Sequence, residues 1–268
     1  MRKGRKVTVA AVILLTVLGL TACGKSKEDY FAERMEAMGG SLDVSGESEN
    51  SQQMKDLMDG LAEDFANQKA EIKEDKKSGK KEVSFGTWEG KVYTNKYMGL
   101  TAKFDSEWTI YSAADLQQIN GEAGDILEAS SIGKYLDSVD FFKDMMVENV
   151  KDLSTVNITY MKMAEQEREE SAKLTEKEIV QKTVDGMGYV TDAYAQMGMT
   201  IRASLAKEVY FLGERRTAQY MLLDYMGNPY YTLQLYDYHS GEYATVFTVA
   251  SFNEDKTLEL LDMFSACE

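Results

Sequence analysis

Between Lys207 and Ala250, four strand-like runs follow one another with almost no chain to spare: Lys207–Leu212, Thr217–Asp224, Tyr230–Tyr238 and Tyr243–Ala250. Each run is dense in β-branched and aromatic residues. The turns between them, Gly213-Glu214, Gly227-Asn228-Pro229 and Ser240-Gly241, supply residues that tolerate reversal of the chain. A parallel return would need a crossover of a dozen or more residues, so connections this short join antiparallel neighbours. An antiparallel meander follows, and its apolar side needs a cover. The cover stands immediately upstream, where Thr175-Glu176-Lys177-Glu178 reads as a capping box. Val180, Val184, Met187, Val190 or Thr191, Tyr194 and Met197 continue one apolar stripe, and Gly198 is placed to end the helix. Asn253 is placed to cap a last helix through about Phe264, with Leu258, Leu261 and Phe264 facing the sheet. The expected architecture is α+β, an antiparallel sheet covered by helices.

Further upstream, Lys91–Asn95 and Leu100–Phe104 predict a hairpin about Lys96–Gly99, followed by a strand at Trp108–Tyr111. Ser112 is placed to cap a helix through about Asn120, and a second helical stretch runs from about Asp125 to Leu136. Asp144–Glu148 and Thr155–Met163 read as a strand pair across Lys151–Ser154, with Val156, Ile158 and Tyr160 on one face and Asn157 and Thr159 on the other.

The N-terminus reads differently. Arg2, Lys3, Arg5 and Lys6 precede an apolar run from Val7 to Leu20, interrupted by Thr8, Thr16 and Gly19. At about 14 residues the run falls short of the roughly 20 that span a bilayer as a helix, and Gly24–Asp29 after it is polar. It is a targeting signal in form. Its end, Leu20-Thr21-Ala22-Cys23, resembles the bacterial lipobox. That resemblance implies cleavage after Ala22, diacylglycerol on the Cys23 thiol, and anchoring to the outer face of a membrane; two acyl chains suffice for stable anchoring. Residues 1–22 are therefore expected to be a lipoprotein signal peptide. Residues 23–85 read as a lipidated tether: Leu42–Gln53 is rich in Ser, Gly, Glu and Asn, and Met54, Met58, Leu61, Phe65 and Ile72 mark an amphipathic helix. Residues 86–268 are left for the globular domain.

Charge excludes one class of partner. With the four cations of the signal removed, 26 basic residues face 45 acidic ones, a net charge of −19. Such a chain repels nucleic acid. Lipidation consumes one of the two cysteines and leaves Cys267, so no intrachain disulfide is expected, and stability must come from the core. No G-x-S-x-G, G-x-G-x-x-G, phosphate-loop or H-E-x-x-H string occurs. The single histidine, His239, lies with Asp237 and Glu242 about the Ser240-Gly241 turn, more readily a polar hairpin tip than a cation site. A Cys267–His239 dyad would place its nucleophile on the penultimate residue, where it is hard to hold. The expectation is a protein without catalytic residues, metal or cofactor.

Several strings in residues 86–268 resemble exported domains of the PsbP and Mog1 type. Tyr93-Thr94-Asn95-Lys96-Tyr97-Met98-Gly99-Leu100, with Trp108 after the turn Asp105-Ser106-Glu107, is similar to that family's opening hairpin. Asp144-Met145-Met146 and Phe211-Leu212-Gly213 belong to the same pattern. The resemblance implies an α/β/α sandwich that docks onto protein partners and does not catalyse a reaction.

Tyrosines crowd the last strands. Tyr231, Leu233 and Leu235 share one face, and Tyr230, Thr232, Gln234 and Tyr236 the other. If helices cover both faces these rings are core; if one face is open, Tyr230 and Tyr236 form a partner surface. The functional expectation is a membrane-tethered, extracytoplasmic, non-catalytic interaction module with an envelope protein as partner. The alternative is a substrate-capturing lipoprotein serving a transporter or a cell-wall glycan.

Overall fold

The structure is a computed structural model that describes residues 84–120, 141–163, 165–225, 227–238 and 243–267. The expected tether helix, the helix at Asp125–Leu136 and Cys23 lie outside the described residues. Two antiparallel sheets carry the fold. The larger has seven strands in the order β4-β5-β6-β10-β9-β8-β7: β4 (Trp108–Ile110), β5 (Phe141–Asn149), β6 (Thr155–Lys162), β7 (Met199–Phe211), β8 (Glu214–Tyr225), β9 (Asn228–Asp237) and β10 (Tyr243–Phe252). The smaller has four, in the order β1-β2-β3-β11: β1 (Thr87–Glu89), β2 (Val92–Asn95), β3 (Leu100–Lys103) and β11 (Phe264–Ala266). The domain is thus a sheet-rich α+β fold. The meander is present as expected, β7 to β10, each strand antiparallel to the next.

Alternation sorts the side chains of the large sheet onto two faces. On one, Val156, Ile158, Tyr160, Leu233, Leu235, Phe247 and Val249 pack with Tyr93, Leu100, Phe104 and Phe264 of the small sheet. Phe264 of β11 meets Phe247 edge to face, centroids 4.8 Å apart at 87°, a geometry that contributes about 0.5–1.5 kcal/mol beyond area burial. Helix α5 (Thr257–Asp262) adds Leu260 and Leu261 to the same layer. This face is therefore met by a second sheet and one short helix. The opposite face takes Val180 from helix α3 (Glu176–Gly186), Tyr194 from helix α4 (Thr191–Gln196), and Val190 and Met197 that flank α4. Helix α1, residues 113–120, sets Leu116 and Ile119 against Tyr111 and Met146.

The capping box at Thr175 is formed: its Oγ1 accepts from the Glu178 N–H, and Glu178 Oε2 accepts from the Thr175 N–H at 2.8 Å. Glu176 then ties the helix to the sheet, with Oε1 2.6 Å from Arg216 Nε and Oε2 accepting from the Thr217 N–H at 2.8 Å. The expected helix from Thr175 to Met197 is not continuous. After Gly186 it passes through a 3₁₀ turn, Met187–Tyr189, before α4 resumes. Glycine costs about 1 kcal/mol inside a helix, and Gly186 and Gly188 flank Met187 where the break occurs. The helix expected to start at Asn253 begins instead at Thr257. Asn253 adopts a left-handed φ of 63°, and the Asp255 carboxylate accepts from the Thr257 N–H and hydroxyl at 3.1 and 2.7 Å. Helix α2 (Glu165–Ser171) completes the described elements.

Candidate functional site

The two tyrosines expected as a partner surface are core residues. Tyr230 and Tyr236 are each 2% exposed, because α3 and α4 pack on their face of the sheet and enclose them in the same cluster as Val180 and Tyr194. Tyr230 and Tyr236 thus follow the covered-face alternative, and a surface built on them is withdrawn. His239 and Glu242 lie outside the described residues. Among the described residues no group of three or more His, Cys, Asp or Glu is placed to hold a metal ion. Cys267 is half-buried, its Sγ 3.8 Å from the Asn95 carbonyl oxygen. Among the described residues no helix is long and apolar enough to cross a membrane.

A polar constellation joins the sheets instead. A bulge in β5 between Lys143 and Met145 interrupts the alternation, so that the consecutive residues Asp144 and Met145 serve the same layer. Asp144 enters the space between the sheets. Its Oδ2 accepts from the Tyr93 hydroxyl at 2.6 Å, from Asn95 Nδ2 at 3.0 Å and from the Gly86 N–H at 2.8 Å. Asn95 Nδ2 also lies 3.0 Å from Tyr93 Oη and 2.9 Å from Tyr160 Oη, and Asn95 Oδ1 accepts from the Met98 N–H at 2.9 Å, closing the β2–β3 turn. Tyr93, Asn95 and Tyr160 are fully buried. Burial, then the Asp144 carboxylate, hold both phenols well above their ordinary pKa, so they stay protonated. A network so satisfied fixes the small sheet on the large one. Tyr93, Asn95 and Asp144 were prominent in sequence only as parts of family-like strings; their meeting required the fold.

Lys143 points the other way. It is 2% exposed, its Nζ 3.4 Å from Asn157 Oδ1 and 3.3 Å from Thr159 Oγ1. Burial lowers its ammonium from the ordinary 10.5 to about 7. Nothing in the sequence marked this residue, which precedes the expected strand Asp144–Glu148 and lies inside β5 (Phe141–Asn149).

One exposed feature stands at the β7–β8 end of the large sheet. The β7–β8 turn is made by Leu212 and Gly213, with φ of 52° and 83°; both are left-handed, as a type I′ hairpin turn requires. Beside the turn lies a groove of about 270 Å³ lined by Tyr210, Leu212, Gly213, Leu261, Asp262 and Ser265 among others. Tyr210 is 68% exposed, with the Arg215 guanidinium 5.9 Å from its ring centroid. Among the described residues, β7 and β11 each pair on one side only, so the groove is bordered by two sheet edges. Such edges accept an added extended strand. No family model matches the chain, and no curated protein does.

Proposed function

We propose that the protein is a lipoprotein held to the outer face of a bacterial membrane by lipid on Cys23, whose domain is a non-catalytic binding module for an envelope protein. One observation carries the reading: the tetrapeptide Leu20-Thr21-Ala22-Cys23 closing a cationic, then apolar, segment too short to span a bilayer. The PsbP/Mog1-like reading of residues 86–268, as an α/β/α sandwich, belongs to the proposal. It is supported by the direct hydrogen bonds among Tyr93, Asn95 and Asp144, which give the family-like strings a shared structural task. The partner contributes an extended segment with basic side chains to the groove beside Tyr210. Its support is the two unpaired sheet edges, the Asp262 carboxylate in the lining, and an acidic chain around it.

Two experiments test the reading. Membrane fractionation and mass spectrometry of the expressed chain should find a diacylglyceryl-modified Cys23, with Cys23→Ala released from membranes; a Cys23→Ala protein that still partitions wholly with membranes refutes the anchor. A photo-crosslinking residue at position 210, compared with one at the exposed Lys177, should link to one envelope protein from position 210 alone. Equal linkage from both positions, or none, counts against the surface.

A further inference from the structure

Strand β7 is the long open edge of the fold. Among the described residues it pairs with β8 alone and runs for 13 residues, whereas β1, β4 and β11, the other strands at the ends of the sheets, have three each. Edges are ordinarily guarded by charge, proline or a bulge. On β7 the guards stand apart: Arg202, exposed, sits in the register shift between Ile201 and Ala203, and Glu208 is exposed further on. Between them Ala203-Ser204-Leu205-Ala206 carries no charge. Lys207 is turned onto its own sheet, its Nζ 4.6 Å from the Tyr220 ring centroid. At the centre of the stretch Leu205 is 44% exposed, so the unguarded edge presents an apolar side chain at its midpoint.

The hairpin turn decides which backbone groups this edge offers. With a type I′ turn at Leu212-Gly213, Phe211 and Glu214 are the hydrogen-bonded pair that closes it, and such pairs recur at every second position of an antiparallel ladder. Val209, Lys207, Leu205 and Ala203, opposite Arg216, Ala218, Tyr220 and Leu222, therefore direct their N–H and C=O to β8. Ser204 and Ala206 turn theirs outward. The charges then select the strand that fits. Arg202 and Glu208 are equidistant from Leu205 in the sequence, so a second β7, run antiparallel about a twofold axis at Leu205, sets the Arg202 end of each copy against the Glu208 end of the other. A parallel copy in the same register sets like charges together. An axis at Lys207 opposes two ammonium groups, an axis at Glu208 opposes two carboxylates, and an axis at Ala206 sets Leu205 against Lys207.

We infer that β7 is the dimer edge of this protein: two copies join antiparallel about Leu205 and make one continuous sheet of their two large ones. Ser204 of each copy exchanges both backbone hydrogen bonds with Ala206 of the other. The Leu205 side chains meet on the axis as a non-hydrogen-bonded pair, with Cβ atoms about 4.5–5.5 Å apart. Ala203 lies opposite Lys207, and the shift at Arg202 ends the ladder at each end. Tyr210 and the groove beside it lie beyond that limit, so the surface given to the envelope partner stays open and the dimer does not rest on that reading.

The test is disulfide crosslinking of the full chain under mild oxidation, with each link identified by mass spectrometry so that Cys23 and Cys267 are not counted. Leu205→Cys should join two copies, because the axis brings its Cβ atoms close to disulfide range. Lys207→Cys alone should not, since in this register those positions lie about 14 Å apart along the strands. A mixture of Ala203→Cys and Lys207→Cys chains should link the one to the other. Equal linkage of Leu205→Cys and Lys207→Cys, as random collision gives, or linkage of neither, overturns the inference. Amide hydrogen exchange supplies a second reading in the chain without added cysteines. The Ser204 and Ala206 amides should be protected in the parent and lose that protection in Leu205→Asp, while the Lys207 amide, bonded to β8, keeps its own. Equal exchange of Ser204 and Ala206 in parent and variant overturns the inference as well.

Discussion

Asp144→Ala tests whether the polar joint between the sheets carries the stability assigned to it. The carboxylate accepts three hydrogen bonds on Oδ2, from Tyr93, Asn95 and Gly86. Removing it has unequal consequences for the three donors. Asn95 Nδ2 keeps the oxygens of Tyr93 and Tyr160 at 3.0 and 2.9 Å. The Tyr93 hydroxyl proton, fully buried, and the Gly86 N–H lose the acceptor named here. Hydrogen bonds to a charged group contribute about 1.5–3 kcal/mol each, so two stranded donors set the loss at about 3–6 kcal/mol. Asp144→Asn retains an oxygen where Oδ2 stood but surrenders the charge, and should cost about 1–2 kcal/mol. Against a typical domain stability of about 5–15 kcal/mol, the alanine variant sits near the limit of folding and the asparagine variant well inside it. Equilibrium urea unfolding followed by tryptophan fluorescence measures both, because Trp88 lies against Tyr93 with centroids 5.1 Å apart. A loss below about 1 kcal/mol for Asp144→Ala, or equal losses for the two variants, refutes the reasoning.

A methyl group at Gly86 would overlap the buried Tyr93 ring, so Gly86→Ala should cost about 1–3 kcal/mol by overpacking, read in the same urea assay. Lys143 takes up its proton near pH 7 in the folded chain and near 10.5 when unfolded. Between those values the unfolded state binds more protons, so stability should rise from about pH 7 to about pH 10 and be flat in this group below pH 7. Lys143→Met should remove that slope, and unfolding free energies at pH 7 and 9.5 that differ equally in parent and variant would contradict it. Gly213→Ala, at φ 83° with open space around it, should cost about 1 kcal/mol from backbone strain alone, measured as a lower melting temperature.

Where the fold was legible, local chemistry and long-range packing agreed. Strands β8, β9 and β10 alternate, end at turn residues, and pair with their sequence neighbours, so every cue sits inside a short window. The β2–β3 hairpin is legible for the same reason, and its turn glycine, Gly99, carries a φ of 69°. Strands β1 and β11 were missed because each has three residues. The partner of β11 is β3, from the far end of the domain, and no window contains both. The first half of β7 was missed for another reason. Thr200, Arg202 and Ser204 give it a mixed surface, and a register shift between Ile201 and Ala203 breaks its alternation. Tyr230 and Tyr236 were placed on the correct face by alternation, but whether that face is covered depends on a helix layer that alternation does not describe.

Strand β5 shows why the polar joint was only partly legible. Strict alternation from Phe142 would put Asp144 and Met146 on its face and send Lys143 and Met145 to the other. In the structure Phe142, Met145 and Val147 share one cluster, while Met146 packs with α1 on the opposite side. One inserted residue has shifted the register after Lys143: Asp144 and Lys143 keep the layers that alternation from Phe142 assigns them, while Met145 joins the layer of Asp144 and Met146 goes to the other. Neither charge would be stable there alone: Asp144 depends on hydroxyl and amide donors from β2, and Lys143 on acceptors from β6. Alternation assigns such a residue a layer, but its partners come from strands far away in sequence, and no local signature names them.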